Sequence, residues 1–341
     1  MLNQQKNSQS LTTLLPLVSI TERNFFLCWR TTQMGCHPRI ETNEHSDFIT
    51  SRTRDSRLWF VNNESLEHRI LGLTAKYATR RTITLYGFAI EGNHLHIVAH
   101  NNKKNRAHFL RDLKSTIARA VPRHTPSYSG GGIWGRRYSN EFLGDHSDIE
   151  NYFFYTVLQP VKDGLVEKIS DYPGYNCFHD AVWGIKRKFK VMNWTAYYKA
   201  TRWGQKVDKK DFLEEFTLEY ARLPGYEHLS QREYALLMTG RLEERRQEIL
   251  KARDAEGKKF LGPTALKRVE PGSLPKSTKT STLTTHRPRV LSKCDVRRAE
   301  MNDWYYDIYF RFKVASEEYR SGNLSVEFPE GTYRPYVGPV T

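Results

Sequence analysis

Two histidines separated by one residue are the feature of this sequence with the most specific chemistry. His94 and His96 follow the segment 82–90, whose β-branched and aromatic residues are typical of a strand. Residues 91–93 lie between this segment and His94, and they favour the turn of a β-hairpin. Because side chains alternate along a strand, both imidazoles project from one face and could ligate a divalent metal ion. The ordinary alternative is two polar residues on a solvated strand face.

A tyrosine and a glutamine four residues apart could complete such a site. Ser147, followed three residues later by Glu150, predicts a capped helix start, and Pro160 predicts a helix end near Gln159. Tyr155 and Gln159 would then share one helix face. Aromatic residues on a short helix usually belong to a core, which is the ordinary explanation for this tyrosine.

Together these motifs resemble the HUH single-tyrosine transposases, most of all the REP-associated tyrosine transposases of bacteria. The stretches 48–53, 133–138 and 159–166 also fit that family's layout, and the likeness covers about residues 45–180. The sequence departs from the family pattern at two positions. Gly92 stands where the family usually has proline, and Gln159 stands where many REP-associated members have asparagine. Neither change removes a type of metal-binding atom.

The resemblance implies a DNA transposase, a single-strand endonuclease that cleaves and rejoins hairpin-containing single-stranded DNA. Tyr155 would be the nucleophile and form a 5′-phosphotyrosine intermediate. His94, His96 and the carbonyl oxygen of Gln159 would hold Mg²⁺ or Mn²⁺, and the nitrogen ligands favour Mn²⁺. Within the family both a homodimer and a monomer occur, and the sequence leaves both open.

Three other functions remain compatible with these residues. A domesticated descendant would bind DNA hairpins as a regulator without cutting, although the tyrosine and all three ligand candidates are present. A replication-type nickase or relaxase would use the same chemistry, but those proteins usually have a third metal-binding histidine. A metal-dependent hydrolase is the weakest alternative, since the further Asp and His ligands that it needs are absent nearby.

The charge of the chain favours a polyanionic partner. The formal net charge is +15 and the isoelectric point is about 9.6, and nucleic acid is the default partner for such a balance. Candidate DNA contacts fall in three places: the cations of one predicted helix, a stretch that mixes aromatic residues with arginines, and a later basic run. These candidates are Lys103, Lys104, Arg106, Arg111, Lys114, Arg119, Trp134, Arg136, Arg137, Lys186, Arg187 and Lys188. Solvated surface charge is the ordinary explanation for such residues.

The order of predicted elements indicates an α+β fold. The predicted order is strand, helix, strand, strand, helix, strand and helix, which favours an antiparallel sheet with packed helices. The resemblance implies the HUH or ferredoxin-like form of this arrangement. A mainly helical, basic C-terminal extension is expected to follow. The predicted divisions are an N-terminal arm that is partly mobile (1–44), a catalytic domain (45–180), a helical basic extension (181–261), and a Pro/Lys-rich arm with a C-terminal helix (262–341).

Hydropathy and cysteine usage predict a cytoplasmic protein associated with the nucleoid. No apolar run approaches the roughly 18 residues of a membrane span, and residues 12–18 are too few and too interrupted for a signal peptide. Four cysteines without C-x-x-C spacing suit free thiols better than a zinc site or a disulfide framework.

Overall fold

A five-stranded sheet carries the predicted metal ligands. This computed structural model describes residues 37–204, 206–276 and 288–336. The described strands are β1 (Ser46–Arg52), β2 (Ile83–Glu91), β3 (His94–Asn101), β4 (Ser139–Leu143), β5 (Arg187–Met192), β6 (Leu213–Leu218) and β7 (Val290–Leu291). The main sheet has the order β2-β3-β1-β4-β7, in which only β4 and β7 run parallel, and β5 and β6 form a separate antiparallel pair.

Nine helices are described around these sheets. They are α1 (Glu64–Arg81), α2 (Arg106–His124), α3 (His146–Val157), α4 (Gln159–Lys162), α5 (Phe178–Trp183), α6 (Trp194–Thr201), α7 (Gln231–Ala255), α8 (Pro263–Leu266) and α9 (Asp295–Arg320). The predicted order of the first seven elements and the α+β class are confirmed. None of the described helices combines the length and apolar composition that a bilayer crossing requires.

The tyrosine helix α3 packs on the histidine face of the sheet. Gly87 of β2 pairs with Val98 of β3, which has the same strand parity as His96. A Cβ atom on Gly87 would lie only 3.2 Å from Cδ2 of Phe153, so the glycine permits a close approach of α3. Alternation along β3 sends Leu95 to the opposite face. α3 therefore covers the face of the sheet that carries His94 and His96.

The start of α3 differs from the sequence prediction. Asp145 is the N-cap, and its carboxylate accepts a hydrogen bond from the backbone N–H of Asp148. Ser147 lies inside the first turn, where its hydroxyl donates to Asp145 Oδ1 at 2.7 Å, so the capping box predicted at Ser147 is wrong. Aspartate is as good an N-cap as serine, and the chain uses the earlier of the two. The helix ends at Val157, and Pro160 occupies the first turn of α4.

The C-terminal extension is less helical than predicted. β5 lies within the basic run, and its residues Phe189 and Val191 are 5% and 1% exposed. Gly72 of α1 packs against both of these side chains. Lys188 and Lys190 alternate with these two apolar residues, and a period of two is the signature of a half-buried strand. Segment 181–261 therefore contributes a two-stranded sheet as well as helices.

The described parts of both predicted arms pack on the domain. Asn62 Nδ2 donates to the carbonyl oxygen of Leu266 at 2.9 Å, and the N–H of Gly272 donates to the carbonyl oxygen of Leu58 at 3.0 Å. Ile40 is 2% exposed. The prediction of a separate arm is therefore wrong for 262–276. Residues 277–287 of that arm and 1–36 of the N-terminal arm lie outside the described part of the chain.

The predicted C-terminal helix is confirmed as α9, together with its packing on the main domain. Met301, Tyr305 and Ile308 are buried in one cluster with Phe142 of β4. Cys177 and Cys294 are free thiols, as predicted, whereas the other two cysteines lie outside the described residues.

Candidate functional site

His94 and His96 share one face of β3, as the strand periodicity predicted. Their ring centroids are 4.6 Å apart, and the residues are 7% and 4% exposed. β3 is hydrogen-bonded on both sides, with Arg52 of β1 and Glu91 of β2 opposite His94. The two imidazoles are thus held on an inner strand, where the backbone ladder fixes their spacing.

The turn that precedes His94 sets its tautomer. Asn93 Nδ2 donates to the carbonyl oxygen of Ser56 at 2.9 Å, which orients the amide so that its Oδ1 faces the ring. Oδ1 lies 2.7 Å from His94 Nδ1 and can only accept a hydrogen bond, so Nδ1 carries the proton. In that tautomer Nε2 is the basic ring nitrogen. A hydrogen bond of this kind is the usual way in which a protein orients a metal-binding histidine.

Tyr155 lies beside His96 although the two residues are distant in sequence. The centroid of the Tyr155 ring is 5.9 Å from that of His96, with the planes close to perpendicular. Phe48 of β1 stacks on His96 at 5.5 Å and contacts the edge of the Tyr155 ring at 5.5 Å. The ammonium nitrogen of Lys162 lies 4.5 Å from the Tyr155 centroid. The tyrosine therefore sits between an imidazole and a cation.

A second tyrosine on α3 is less suited to be a nucleophile. The Tyr152 ring is 5.7 Å from that of Tyr155 and also packs on Phe48. Burial raises the pKa of Tyr152 to about 12, and the negative charges of Glu141 and Asp148 add to the effect. A phenol with a raised pKa yields even less phenolate near neutral pH than an ordinary tyrosine, so Tyr152 is poorly suited to attack a phosphate.

Gln159 has a buried oxygen that suits a cation. The residue is 7% exposed, and its Oε1 accepts no hydrogen bond within the described part of the chain. An unsatisfied buried acceptor is costly, so a ligand at this atom would recover free energy. Among the described residues no three His, Cys, Asp or Glu side chains are grouped to hold a metal ion. A site based on the two histidines therefore needs a neutral oxygen such as that of Gln159.

Glu91 belongs to the site face and was missed by the sequence analysis. It is 2% exposed and pairs across the hairpin with His94. Burial raises the pKa of Glu91 to about 8, the negative charge of Asp163 adds to that rise, and a hydrogen bond from Tyr172 opposes it. The short turn in the sequence could have revealed Glu91, because a two-residue hairpin loop places residues 91 and 94 opposite each other.

The prediction that Arg106 contacts DNA is wrong. Its side chain is 1% exposed, forms an ion pair with Asp47 of β1, and donates to the carbonyl oxygen of Ile40 at 2.6 Å. The carboxylate raises the pKa of Arg106 against the effect of burial. Arg106 is the first residue of α2, and these buried partners hold its guanidinium inside the protein.

Most of the other predicted DNA contacts lie at the surface, and many have partners. Lys114 donates to the carbonyl oxygen of Arg136 at 3.0 Å and lies 4.9 Å from the Trp134 ring centroid. Burial lowers the pKa of Lys114 to about 8. Pairs with carboxylates involve Lys104 with Glu330, Arg111 with Asp112, Lys186 with Glu219, Arg187 with Asp180, and Lys188 with Glu215. Lys103, Arg119, Arg136 and Arg137 are exposed or half-buried, and their role stays a prediction.

Comparisons with known proteins show which families and relatives this chain is similar to. The family model described as "Transposase IS200 like" matches residues 49–155. A Haemophilus influenzae protein whose name assigns it provisionally to the REP-associated tyrosine transposases is 31% identical over 96 residues, 26% of this chain. The chain spans about half the length of that relative, 54%.

Two solved structures are similar over part of the chain. One is a REP-associated tyrosine transposase bound to a REP hairpin, with 20% identity, 43% of this chain and 84% of that chain covered, and a TM-score of 0.37. The other, from Deinococcus radiodurans R1, is described provisionally as a transposase, with 14% identity, 37% and 96% coverage, and a TM-score of 0.25. These low scores carry no weight beside the family match and the histidine–tyrosine geometry. Residues 49–155 of this chain are therefore similar to the IS200-like transposases.

Proposed function

We propose that this protein cleaves and rejoins single-stranded DNA that contains hairpins, with Tyr155 as the nucleophile. The observation that carries the proposal is the position of Tyr155 beside His96 on the buried histidine face of the sheet. The match of residues 49–155 to a transposase family model supports a DNA strand-transfer reaction. The name of the Haemophilus relative, which refers to REP-associated tyrosine transposases, supports a tyrosine as the attacking residue.

The reaction would begin with attack of the Tyr155 phenolate on a phosphodiester. The bond from the phenolate oxygen to phosphorus forms, the bond from phosphorus to O3′ breaks, and the departing strand end takes up a proton as a 3′-OH. The strand that keeps the phosphate at its 5′ end stays on the protein as a 5′-phosphotyrosine. Attack of a 3′-OH on that phosphotyrosine reverses the step and joins strands without an external energy source.

A divalent cation, Mg²⁺ or Mn²⁺, fits the residues beside Tyr155. His94 and His96 would supply ring nitrogens, and Gln159 would supply its buried Oε1, which no described residue satisfies. When bound, such an ion offsets charge on the phosphate and fixes its orientation. Asn93 and Phe48 position the two imidazoles for this purpose.

Lys162 would assist from the other side of the tyrosine. Its ammonium group lies over the Tyr155 ring and is exposed to solvent. A cation at this place favours the phenolate over the phenol and attracts the incoming phosphate.

The test is the formation of a covalent adduct. Full-length protein is incubated with single-stranded hairpin oligonucleotides that carry unpaired flanks, with Mn²⁺ or with EDTA, and analysed by denaturing electrophoresis. An SDS-resistant protein–DNA band that requires Mn²⁺, together with a released 3′-OH strand, is the expected result. Tight hairpin binding with no adduct under any divalent ion would instead indicate a regulator that does not cut.

A further inference from the structure

A cavity of about 490 Å³ opens beside the proposed nucleophile. Its wall includes Tyr152 and Tyr155 of α3, while Ile249 of α7 and Val290 and Leu291 of β7 close the other side. The last three lie beyond residues 49–155, which match the family model. The C-terminal extension thus builds half of a compartment that reaches Tyr155.

The walls of this cavity suit a flat apolar ring. Two tyrosines and Phe154 supply aromatic surface, and Ile249 and Leu291 supply aliphatic surface. The volume lies within the range of about 300–1,000 Å³ that is common for small-molecule sites. Nucleobases are flat rings of this kind, and each base stacked on an aromatic side chain contributes about 1–3 kcal/mol.

Two exposed lysines contribute to the cavity from opposite sides. Lys162 follows the tyrosine helix, and Lys293 precedes α9. Their ammonium groups suit a phosphate on either side of a bound nucleoside. The cavity therefore combines a hydrophobic wall with cationic side chains, which are features that a nucleotide needs.

The far wall is held in place before any ligand arrives. Arg245 of α7 donates to Asn151 Oδ1 at 3.0 Å and to Glu150 Oε1 at 3.2 Å, and its guanidinium carbon lies 4.4 Å from the Phe154 ring centroid. Arg298 donates to the carbonyl oxygen of Ser292 at 3.0 Å, which fixes the loop after β7. A preformed wall lowers the entropic cost of binding.

We propose that this cavity holds one unpaired nucleotide of the DNA strand, next to the phosphate that Tyr155 attacks. The base lies between α3 and the wall formed by β7 and α7, and its phosphates lie near Lys162 and Lys293. This inference rests on the proposed function, and it gives the C-terminal extension a direct part in the substrate site.

A variant that fills the cavity tests the proposal. Ile249→Trp introduces a large side chain at a half-buried position, and Leu236→Trp on the same helix is the control, at a residue that is 58% exposed and outside the cavity. Thermal unfolding establishes that both variants fold. Fluorescence anisotropy with dA12, dC12 and dT12 in EDTA measures binding without cleavage. We expect the I249W affinity to fall about 10-fold, within the range of one lost stacking contact, and the L236W affinity to match the wild type.

The outcomes separate the cavity from the catalytic proposal. Wild-type affinity in folded I249W overturns the nucleotide cavity even if the wild type forms a covalent adduct. Weakened binding in I249W without any wild-type adduct supports the cavity and overturns strand cleavage. Complete competition by free dAMP or dCMP at micromolar concentration would assign the cavity to a free nucleotide and overturn its assignment to the strand.

Discussion

The ammonium nitrogen of Lys162 lies 4.5 Å from the centroid of the Tyr155 ring. Lys162→Met keeps the length of the side chain and removes its charge, so it should destabilise the phenolate. Adduct formation should slow by about 10-fold, and its pH profile should move to higher pH. Lys168→Met is the matched control, since Lys168 is exposed on the same connection. Equal rates in both variants at every pH would exclude a role for Lys162 in the reaction.

Tyr155→Phe should abolish the covalent adduct and leave hairpin affinity within a few-fold of the wild type. The substitution removes only the nucleophilic oxygen, while most binding free energy comes from phosphate contacts. Tyr152→Phe is the control on the same helix, and it should retain the adduct because the pKa of Tyr152 is raised to about 12. Mass spectrometry of the DNA-linked peptide locates the attachment, and a peptide modified at Tyr152 would reassign the nucleophile.

His94→Ala or His96→Ala should lower cleavage by at least 100-fold, because each removes a nitrogen from a site with three candidate ligands. Isothermal titration with Mn²⁺ should show weaker binding in both variants, whereas hairpin affinity should hold. His124→Ala is the control, since His124 lies at the end of α2, away from the site face. Undiminished Mn²⁺ binding and cleavage in the double variant would remove the metal role from these histidines.

Glu91 should make the apo protein less stable as pH rises. Its pKa is about 8 when folded and 4.5 ordinarily, so the folded state binds the extra proton between those values. The free energy of unfolding therefore falls as the pH rises through this window. Glu91 accounts for at most about 1.4 kcal/mol of that fall per pH unit, and it contributes no pH dependence outside the window. Glu91→Gln should remove that fall.

Urea unfolding at several pH values between 4 and 9 measures this effect. Glu244→Gln, at an exposed position on α7, is the control and should follow the wild type. If E91Q and the wild type show parallel curves, then Glu91 binds its proton equally well in the folded and unfolded states and its pKa is not raised by folding.

Arg106→Ala should destabilise the fold by about 3–5 kcal/mol, because it leaves Asp47 buried without its cation. Arg119→Ala, at the outer part of the same helix, should change stability by less than about 0.5 kcal/mol. Thermal unfolding distinguishes the two variants. A stable R106A protein that binds DNA more weakly would restore the role in DNA binding that its burial argues against.

The sequence by itself determined the local elements and the residue types of the site. Alternation along 94–98 places both histidines on one strand face, and helical spacing with a turn before Glu64 predicts α1. These signals depend on backbone geometry over a few residues, so they survive without knowledge of distant contacts. The family resemblance rests on the same local motifs.

The tertiary structure decided which of these residues meet. His96 and Tyr155 approach each other only because Gly87 lets α3 pack on the sheet. The burial of Arg106 depends on Asp47, which is far away in the chain. The cavity beside Tyr155 is closed by Ile249 and other residues beyond the matched domain. Burial and charge pairing arise from long-range packing, for which a run of basic residues gives no local signal.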